Sequence, residues 1–173
     1  MNDYERDKRW MLKKRAEVLA PRFYDVRWPG RYRFTEEGSS WQAIGVDTIV
    51  YGRDDEERWF EEKFMRIPHT VERFDNVIIE LQSCTNPGME SPGWWYYCQA
   101  HFLLFFFAQR DGAHDVWLMD LPQLRIWVKP ILMTLEEFGP LPRIPRTYGR
   151  KLPLAMLERW KRSGVLDLWK VTI

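Results

Sequence analysis

The sequence predicts an α/β domain, because strand-like runs lie between helix-like segments at the two ends of its 173 residues. Two short apolar runs, 45–50 and 77–82, have the composition of strands. Residues 3–19 and 153–162 have the features of helices at the two ends. The length predicts one domain that can bury a substantial core.

The first third of the chain is predicted to pass from a helix into strands. Residues 3–19 place an apolar stripe on one helix face, with Asp3 as the cap and Pro21 beyond the end. Residues 31–35 alternate as a strand, and the next strand carries Asp47. These segments predict a helix followed by two strands.

Residues 54–66 are predicted to form a second helix. Asp54 can act as its N-cap, and Glu57 is placed to complete a capping box. Acids in a first turn favour a helix N-terminus, so residues 54–57 are not assigned as metal ligands.

Regular structure is also predicted in the second half of the chain. A short helix or turn at 94–99 precedes a buried strand at 101–108 and a hairpin at Asp111-Gly112. Residues 115–119 would return as a strand, and Pro122 would begin a helix through Trp127.

The C-terminal part is predicted to cover the rest of the domain. Four prolines between 140 and 153 indicate an extended wrap over the surface, before the last helix and an edge strand at 165–169. Residues 1–138 would then form the main α/β domain, with 139–173 packed on it.

Two acids stand inside the two apolar runs. Asp47 and Glu80 each occupy a position where a strand is usually apolar, and an isolated buried charge is costly. If the two strands are neighbours, the carboxylates of Asp47 and Glu80 can meet and share one cation. Without that cation, Arg or backbone donors would have to satisfy both acids.

The order of these and later residues resembles the PD-(D/E)XK nuclease superfamily, in particular its small phage and bacterial members. That pattern has an Asp on one strand and Glu-X-Lys on the next. The matching segments are Gln42, Gly45-Val46-Asp47, Glu80-Leu81-Gln82, Gly93-Trp94, Gln99-Ala100-His101, Phe102-Leu103-Leu104-Phe105-Phe106 and Leu121-Pro122-Gln123-Leu124-Arg125. Gln82 replaces the Lys of the pattern, and His101 replaces its usual Asp.

The resemblance implies a restriction-endonuclease-like mixed sheet of about five strands, flanked by helices, and metal-dependent cleavage of DNA. Asp47, Glu80 and the carbonyl of Leu81 would bind Mg²⁺ or Mn²⁺, and Gln82 would align the attacking water. The alternative is a nuclease fold that has lost catalysis and binds nucleic acid or protein in a phage or mobile-element complex. Gln82 and His101 favour that alternative, and homodimer formation is left open.

Four further residues are candidates for contacts around the site. Gln42 would hydrogen-bond a ligand carboxylate or a phosphate, or act as an ordinary strand-edge amide. Trp94 would stack on bases or be buried. Gln99 belongs to the matched motif, and His101 would be a ligand, a base or a packed residue.

Composition narrows the class of protein. Basic residues exceed acidic ones in 1–33 and 101–173, whereas acidic residues dominate 34–100, an arrangement suited to phosphates around a carboxylate site. No apolar span long enough for a membrane helix and no signal peptide is seen, so a cytoplasmic protein is expected. Two cysteines indicate no zinc site, and no Walker, dinucleotide-binding or serine-hydrolase motif is present.

Overall fold

A computed structural model describes residues 22–65, 75–84, 90–108, 113–139 and 148–173. The strands are β1 (Tyr32–Phe34), β2 (Thr48–Tyr51), β3 (Glu57–Met65), β4 (Asn76–Cys84), β5 (Glu90–Pro92), β6 (Phe102–Ala108), β7 (His114–Asp120), β8 (Glu136–Phe138), β9 (Tyr148–Pro153) and β10 (Leu168–Thr172). The α-helices are α1 (Asp25–Arg27), α2 (Ser40–Ala43), α3 (Trp94–Tyr97), α4 (Leu121–Val128) and α5 (Leu154–Arg162). The predicted α/β class is confirmed.

The strands form two sheets. The larger has the order β1-β2-β3-β6-β7-β10, in which β3 and β6 run parallel and the other neighbours antiparallel. The smaller is antiparallel, with the order β5-β4-β9-β8. The expected mixed sheet of about five strands has six, and the sequence does not predict the second, four-stranded sheet.

The main core lies between the two sheets. Ile79 and Leu152 of the smaller sheet belong to the same buried cluster as Leu103 and Trp117 of the larger one. A second cluster on the other face of the larger sheet is built around Tyr24. Each face of the larger sheet is thus packed, which fixes where the side chains of β3 can point.

The helix predicted at 54–66 is wrong, since this segment contains a tight turn and β3. The N–H of Gly52 donates to the carbonyl of Glu56 at 2.8 Å, and Asp55 has a positive φ of 57°. The turn folds β3 back on β2, so pairing with β2 on one side and β6 on the other outweighs the local helix signals.

Several later predictions are confirmed. Strands β6 and β7 form an antiparallel pair, helix α4 begins after Asp120, and β10 adds an edge strand to the larger sheet. The side chain of Asp120 accepts a hydrogen bond from Gln123 N–H, which caps α4. The predicted helix 3–19 and the hairpin turn at Asp111-Gly112 lie outside the described residues.

The segment after residue 139 contributes to both sheets. Strand β9 lies between β4 and β8, so the predicted irregular wrap is wrong for Tyr148–Pro153, and residues 140–147 lie outside the described ranges. Pro153 ends that strand and stands at the N-cap of α5, where its missing N–H costs little. None of the helices in the described ranges combines the length and apolar character needed to cross a bilayer.

Candidate active site

Asp47 is held at the start of β2 by its main chain and by its carboxylate. Its N–H donates to the carbonyl of Phe60 at 2.8 Å, and its carbonyl accepts from Thr35 N–H at 2.9 Å. Its carboxylate accepts the side-chain amide of Gln42 and the backbone N–H of Glu62, each at 2.8 Å. These bonds aim the Asp47 carboxylate toward β3.

Gln42 reaches Asp47 because a short capped helix presents it. The hydroxyl of Ser39 accepts the N–H of Gln42 at the start of α2. The Gln42 amide also donates to the Thr35 hydroxyl at 3.1 Å, and that hydroxyl donates to the carbonyl of Val46 at 2.8 Å. Gln42 therefore contacts the carboxylate of Asp47 as one member of a fixed polar chain.

Glu61 and Lys63 lie on the same face of β3, toward Asp47. Glu61 is buried, and its carboxylate forms an ion pair with the ammonium of Lys63, whose side chain is 28 % exposed. The carboxylate of Asp47 lies near enough to Glu61 to raise the pKa of Glu61.

Burial and the neighbouring charges change the pKa values of Glu61 and Lys63. Desolvation raises the pKa of Glu61 to about 8, with Lys63 opposing the rise and Asp47 adding to it. Desolvation lowers the pKa of Lys63, but Glu61, Asp47 and Tyr97 together raise it above its ordinary value. Lys63 therefore stays cationic, and a cation bound beside Glu61 would favour the ionised carboxylate.

Glu62 points to the opposite face, where it has a structural role. Its carboxylate accepts hydrogen bonds from the hydroxyls of Tyr24, at 2.9 Å, and Thr48. Burial, with Glu62 as the next cause, raises the pKa of Tyr24 well above its ordinary value. Glu62 thus anchors β3 to the second core, while its neighbours Glu61 and Lys63 face Asp47.

The expectation that the Glu80 strand lies beside the Asp47 strand is wrong. Asp47 precedes β2 of the larger sheet, whereas Glu80, Leu81 and Gln82 belong to β4 of the smaller one. The carbonyl of Leu81 accepts a hydrogen bond from Gly93 N–H at 2.9 Å. Gln82 lies where the pairing of β4 with β9 shifts register, opposite Tyr148. The structure does not bring Leu81 and Gln82 together with Asp47.

Helix α3 bridges the two strands that carry these acids. At its start, a Cβ on Gly93 would overlap the carbonyl oxygen of Glu80. At its end, the thiol of Cys98 donates to the carbonyl of Gly45 at 3.2 Å, two residues before Asp47. Gly45 has a φ of 70°, and a Cβ there would lie 3.0 Å from the Cys98 sulfur. Both contacts require glycine.

Arg125 fixes this bridge from the side of α4. Its guanidinium donates to the carbonyls of Trp95 and Cys98, each at 2.8 Å, and to that of Trp94 at 3.5 Å. These carbonyls belong to the end of a helix only four residues long and have few partners within it. The guanidinium therefore binds the helix end that packs against Gly45, two residues before Asp47.

Tyr97, which no sequence pattern singles out, belongs to the helix that contacts both Glu80 and Gly45. Burial raises the pKa of its phenol to about 12, with Glu61 and Glu80 adding to the rise and Lys63 opposing it. The phenol is thus within electrostatic range of Glu61 and Lys63 on one side and Glu80 on the other. Glu80 therefore acts electrostatically on the same phenol as Glu61 and Lys63, although its strand is not next to theirs.

The other sequence candidates have mainly structural contacts. Trp94 is 2 % exposed and packs edge-on against Phe105, so it offers no face for a base. His101 stacks on Trp59 with ring centroids 4.8 Å apart, and its Nδ1 accepts a hydrogen bond from the backbone N–H of Trp59 at 3.3 Å. Gln99 is exposed, and its backbone N–H donates a hydrogen bond to the carbonyl of Ile44. None of the three contacts Asp47 through the bonds described.

The carboxylates near Asp47 suit an ion such as Mg²⁺, which needs few protein ligands, better than an ion that protein side chains must enclose completely. Within the described residues, no group of three or more His, Cys, Asp and Glu side chains is arranged for a metal. Mg²⁺ is usually held by one or two carboxylates together with water and substrate phosphate, and Asp47 with Glu61 supplies two.

The signal that could have found this site is Glu61-Glu62-Lys63, a Glu-X-Lys sequence fourteen residues after Asp47. The helix predicted for 54–66 conceals this pattern, because it does not place Glu61 and Lys63 on one face of a strand. Comparison with known proteins finds no family model, no curated protein and no solved structure that matches the chain.

Proposed function

We propose that this protein hydrolyses phosphodiester bonds in DNA, using a divalent cation held by Asp47 and Glu61. The observation that carries the proposal is the cluster of Asp47, Glu61 and Lys63 on two paired strands. An Asp on one strand and Glu-X-Lys on the next is the pattern of the PD-(D/E)XK nucleases. Glu61-Glu62-Lys63 satisfies that pattern, including the Lys that Glu80-Leu81-Gln82 lacks.

Each residue of the cluster has a distinct role in this proposal. Mg²⁺ or Mn²⁺ held there would offset charge on the scissile phosphate and favour ionisation of an attacking water. Lys63 stays cationic beside the carboxylates and is placed to attract the phosphate and orient the nucleophile. Gln42 and the N–H of Glu62 hold the Asp47 carboxylate in one orientation.

The alternative is a fold that binds nucleic acid or protein without cleaving it. Two residues of the sequence, Gln82 and His101, are its basis. Gln82 lies in the other sheet, so its replacement of Lys does not bear on the Asp47 cluster. His101 packs on Trp59 and is not needed as a ligand. No specific contact among the described residues favours a binding-only domain over the hydrolase.

The test is cleavage of supercoiled, linear single-stranded and branched DNA with Mg²⁺ or Mn²⁺. We expect Asp47→Asn, Glu61→Gln and Lys63→Met each to lower the rate on the order of 10²-fold or more. Glu57→Gln is the matched control, because Glu57 is on the same strand and contacts Trp59. Calorimetric titration with Mn²⁺ should lose its signal in Asp47→Asn. A wild type that neither cleaves nor binds the ion would overturn the proposal.

A further inference from the structure

The position of Tyr97 is fixed by contacts at both ends of its short helix. Gly93 packs on the main chain of Glu80 and Leu81, and Cys98 packs on Gly45. Arg125 binds the carbonyls at the end of the same helix. Tyr97 is therefore held between the Asp47 turn and β4 by backbone contacts that do not involve its own side chain.

The surroundings of the phenol make it a hydrogen-bond donor. Two carboxylates, Glu61 and Glu80, and one ammonium, Lys63, act on it electrostatically. An ordinary phenol is already protonated at physiological pH, so Tyr97 keeps its O–H there. A neutral phenol offers one O–H, and an anionic oxygen is the acceptor with which it bonds most strongly.

The phenol is also accessible to a ligand. Tyr97 is 37 % exposed, so a group in solution can reach it, unlike Trp94 and Trp95 on the same helix, which are buried. Its neighbour Tyr96 is 62 % exposed. Adjacent positions on a helix point about 100° apart, so Tyr96 projects in another direction and provides a matched control.

We propose that Tyr97 contacts the substrate, its phenol donating a hydrogen bond to a non-bridging oxygen of the phosphate that Lys63 attracts. This inference rests on the proposed function and adds a substrate-binding residue from outside the Asp47 and Glu61 pair. It also explains why α3 is tied to both sheets, since the phosphate would lie between Lys63 on β3 and Tyr97 on α3.

The experiment compares Tyr97→Phe with Tyr96→Phe, since each change removes one hydroxyl and keeps the ring. Cleavage is measured on a DNA oligonucleotide whose scissile phosphate is unmodified or carries sulfur at one defined non-bridging position. We expect Tyr97→Phe to cleave the unmodified substrate about 10-fold more slowly, and Tyr96→Phe to match the wild type. For one sulfur diastereomer the difference between wild type and Tyr97→Phe should disappear, because sulfur is a poor acceptor.

A structural effect of Tyr97→Phe would slow all the substrates equally, and that outcome would overturn the proposal. Rates of Tyr97→Phe equal to those of the wild type on every substrate would also overturn the proposal, provided that the wild type cleaves DNA. Binding of the same oligonucleotide in Ca²⁺ is followed by fluorescence anisotropy. A wild type that neither cleaves nor binds DNA refutes the proposed function and this inference together, whereas active wild type with equally active Tyr97→Phe refutes this inference alone.

Discussion

The carboxylate of Asp47 accepts the backbone N–H of Glu62 at 2.8 Å. This bond joins the acid before β2 to the centre of β3, between the two residues whose side chains face it. Asp47, Glu61 and Lys63 are therefore held together by the main chain as well as by their charges. The site is part of the sheet rather than of a loop, which favours a precise arrangement.

Glu61 should make the metal-free protein less stable as the pH rises. Burial raises its pKa from 4.5 to about 8, so between these values the folded protein keeps a proton that the unfolded chain has released. The free energy of unfolding therefore falls across this window by an amount that Glu61→Gln should largely remove. Urea denaturation in EDTA at pH 5, 6.5 and 8 measures it. Glu158→Gln, exposed on α5, should follow the wild type; parallel curves for Glu61→Gln and wild type would contradict the prediction.

Removing the guanidinium of Arg125 should destabilise the bridge between the sheets. Arg125→Met leaves the carbonyls of Trp95 and Cys98 without this donor, at a cost of about 2 kcal/mol in the free energy of unfolding. Chemical denaturation measures the loss. Arg159→Met, on the exposed side of α5, is the control and should change little. Equal stability of the two variants would show that the carbonyls find other partners.

A methyl group at Gly93 should be poorly tolerated. Its Cβ would overlap the carbonyl of Glu80, so the helix or β4 would have to move, at a cost of about 3 kcal/mol or more. Gly52→Ala is the matched control, because its nearest contact would be the Glu56 carbonyl at 3.3 Å. Thermal melting of both variants tests this. A Gly93→Ala protein as stable as Gly52→Ala would refute the close packing.

The thiol of Cys98 should react slowly in the folded protein. Burial raises its pKa to about 12, with the charge of Glu61 adding to the rise, so very little thiolate exists at pH 8. In a Cys84→Ser background, labelling with a disulfide reagent should be slow until urea unfolds the chain. Fast labelling of the native protein would mean that the contact with Gly45 opens readily.

Gln82 should not substitute for Lys63. In the double variant Lys63→Gln with Gln82→Lys, the new ammonium would lie on β4, in the other sheet from Asp47. Cleavage should stay as low as in Lys63→Gln alone, and Gln82→Lys alone should not raise the wild-type rate. Recovery of activity in the double variant would instead place the functional lysine on β4.

The sequence was sufficient where local signals agreed with tertiary packing. Strand β6 is predicted by its apolar run, β7 by its place after the turn residues Asp111-Gly112, and α4 by Pro122 near its start. Asp47 was recognised because a carboxylate in an apolar run needs a partner. In these segments the residues that determine the structure are close together in the chain.

Prediction was wrong where partners distant in the chain decided the structure. Residues 54–57 have good helix-capping chemistry, yet pairing with β2 and the parallel β6 makes the next segment a strand. Because that segment is predicted as a helix, Glu61 and Lys63 are not predicted as site residues. Glu80 is then the acid in an apolar run that is predicted as the partner of Asp47. Tyr97 carried no signal, because its proximity to both sheets depends on packing at Gly93 and Gly45.

Glu61 and Glu62 are chemically identical neighbours that serve opposite faces of one strand. Which of them faces Asp47 depends on the length of the turn between Gly52 and Glu56, because one inserted residue would reverse every side chain of β3. The hydroxyl of Thr48 on one face and the carboxylate of Asp47 on the other each hold the present alignment. The number of residues in a surface turn that bears no site residue therefore selects which acid is available for chemistry.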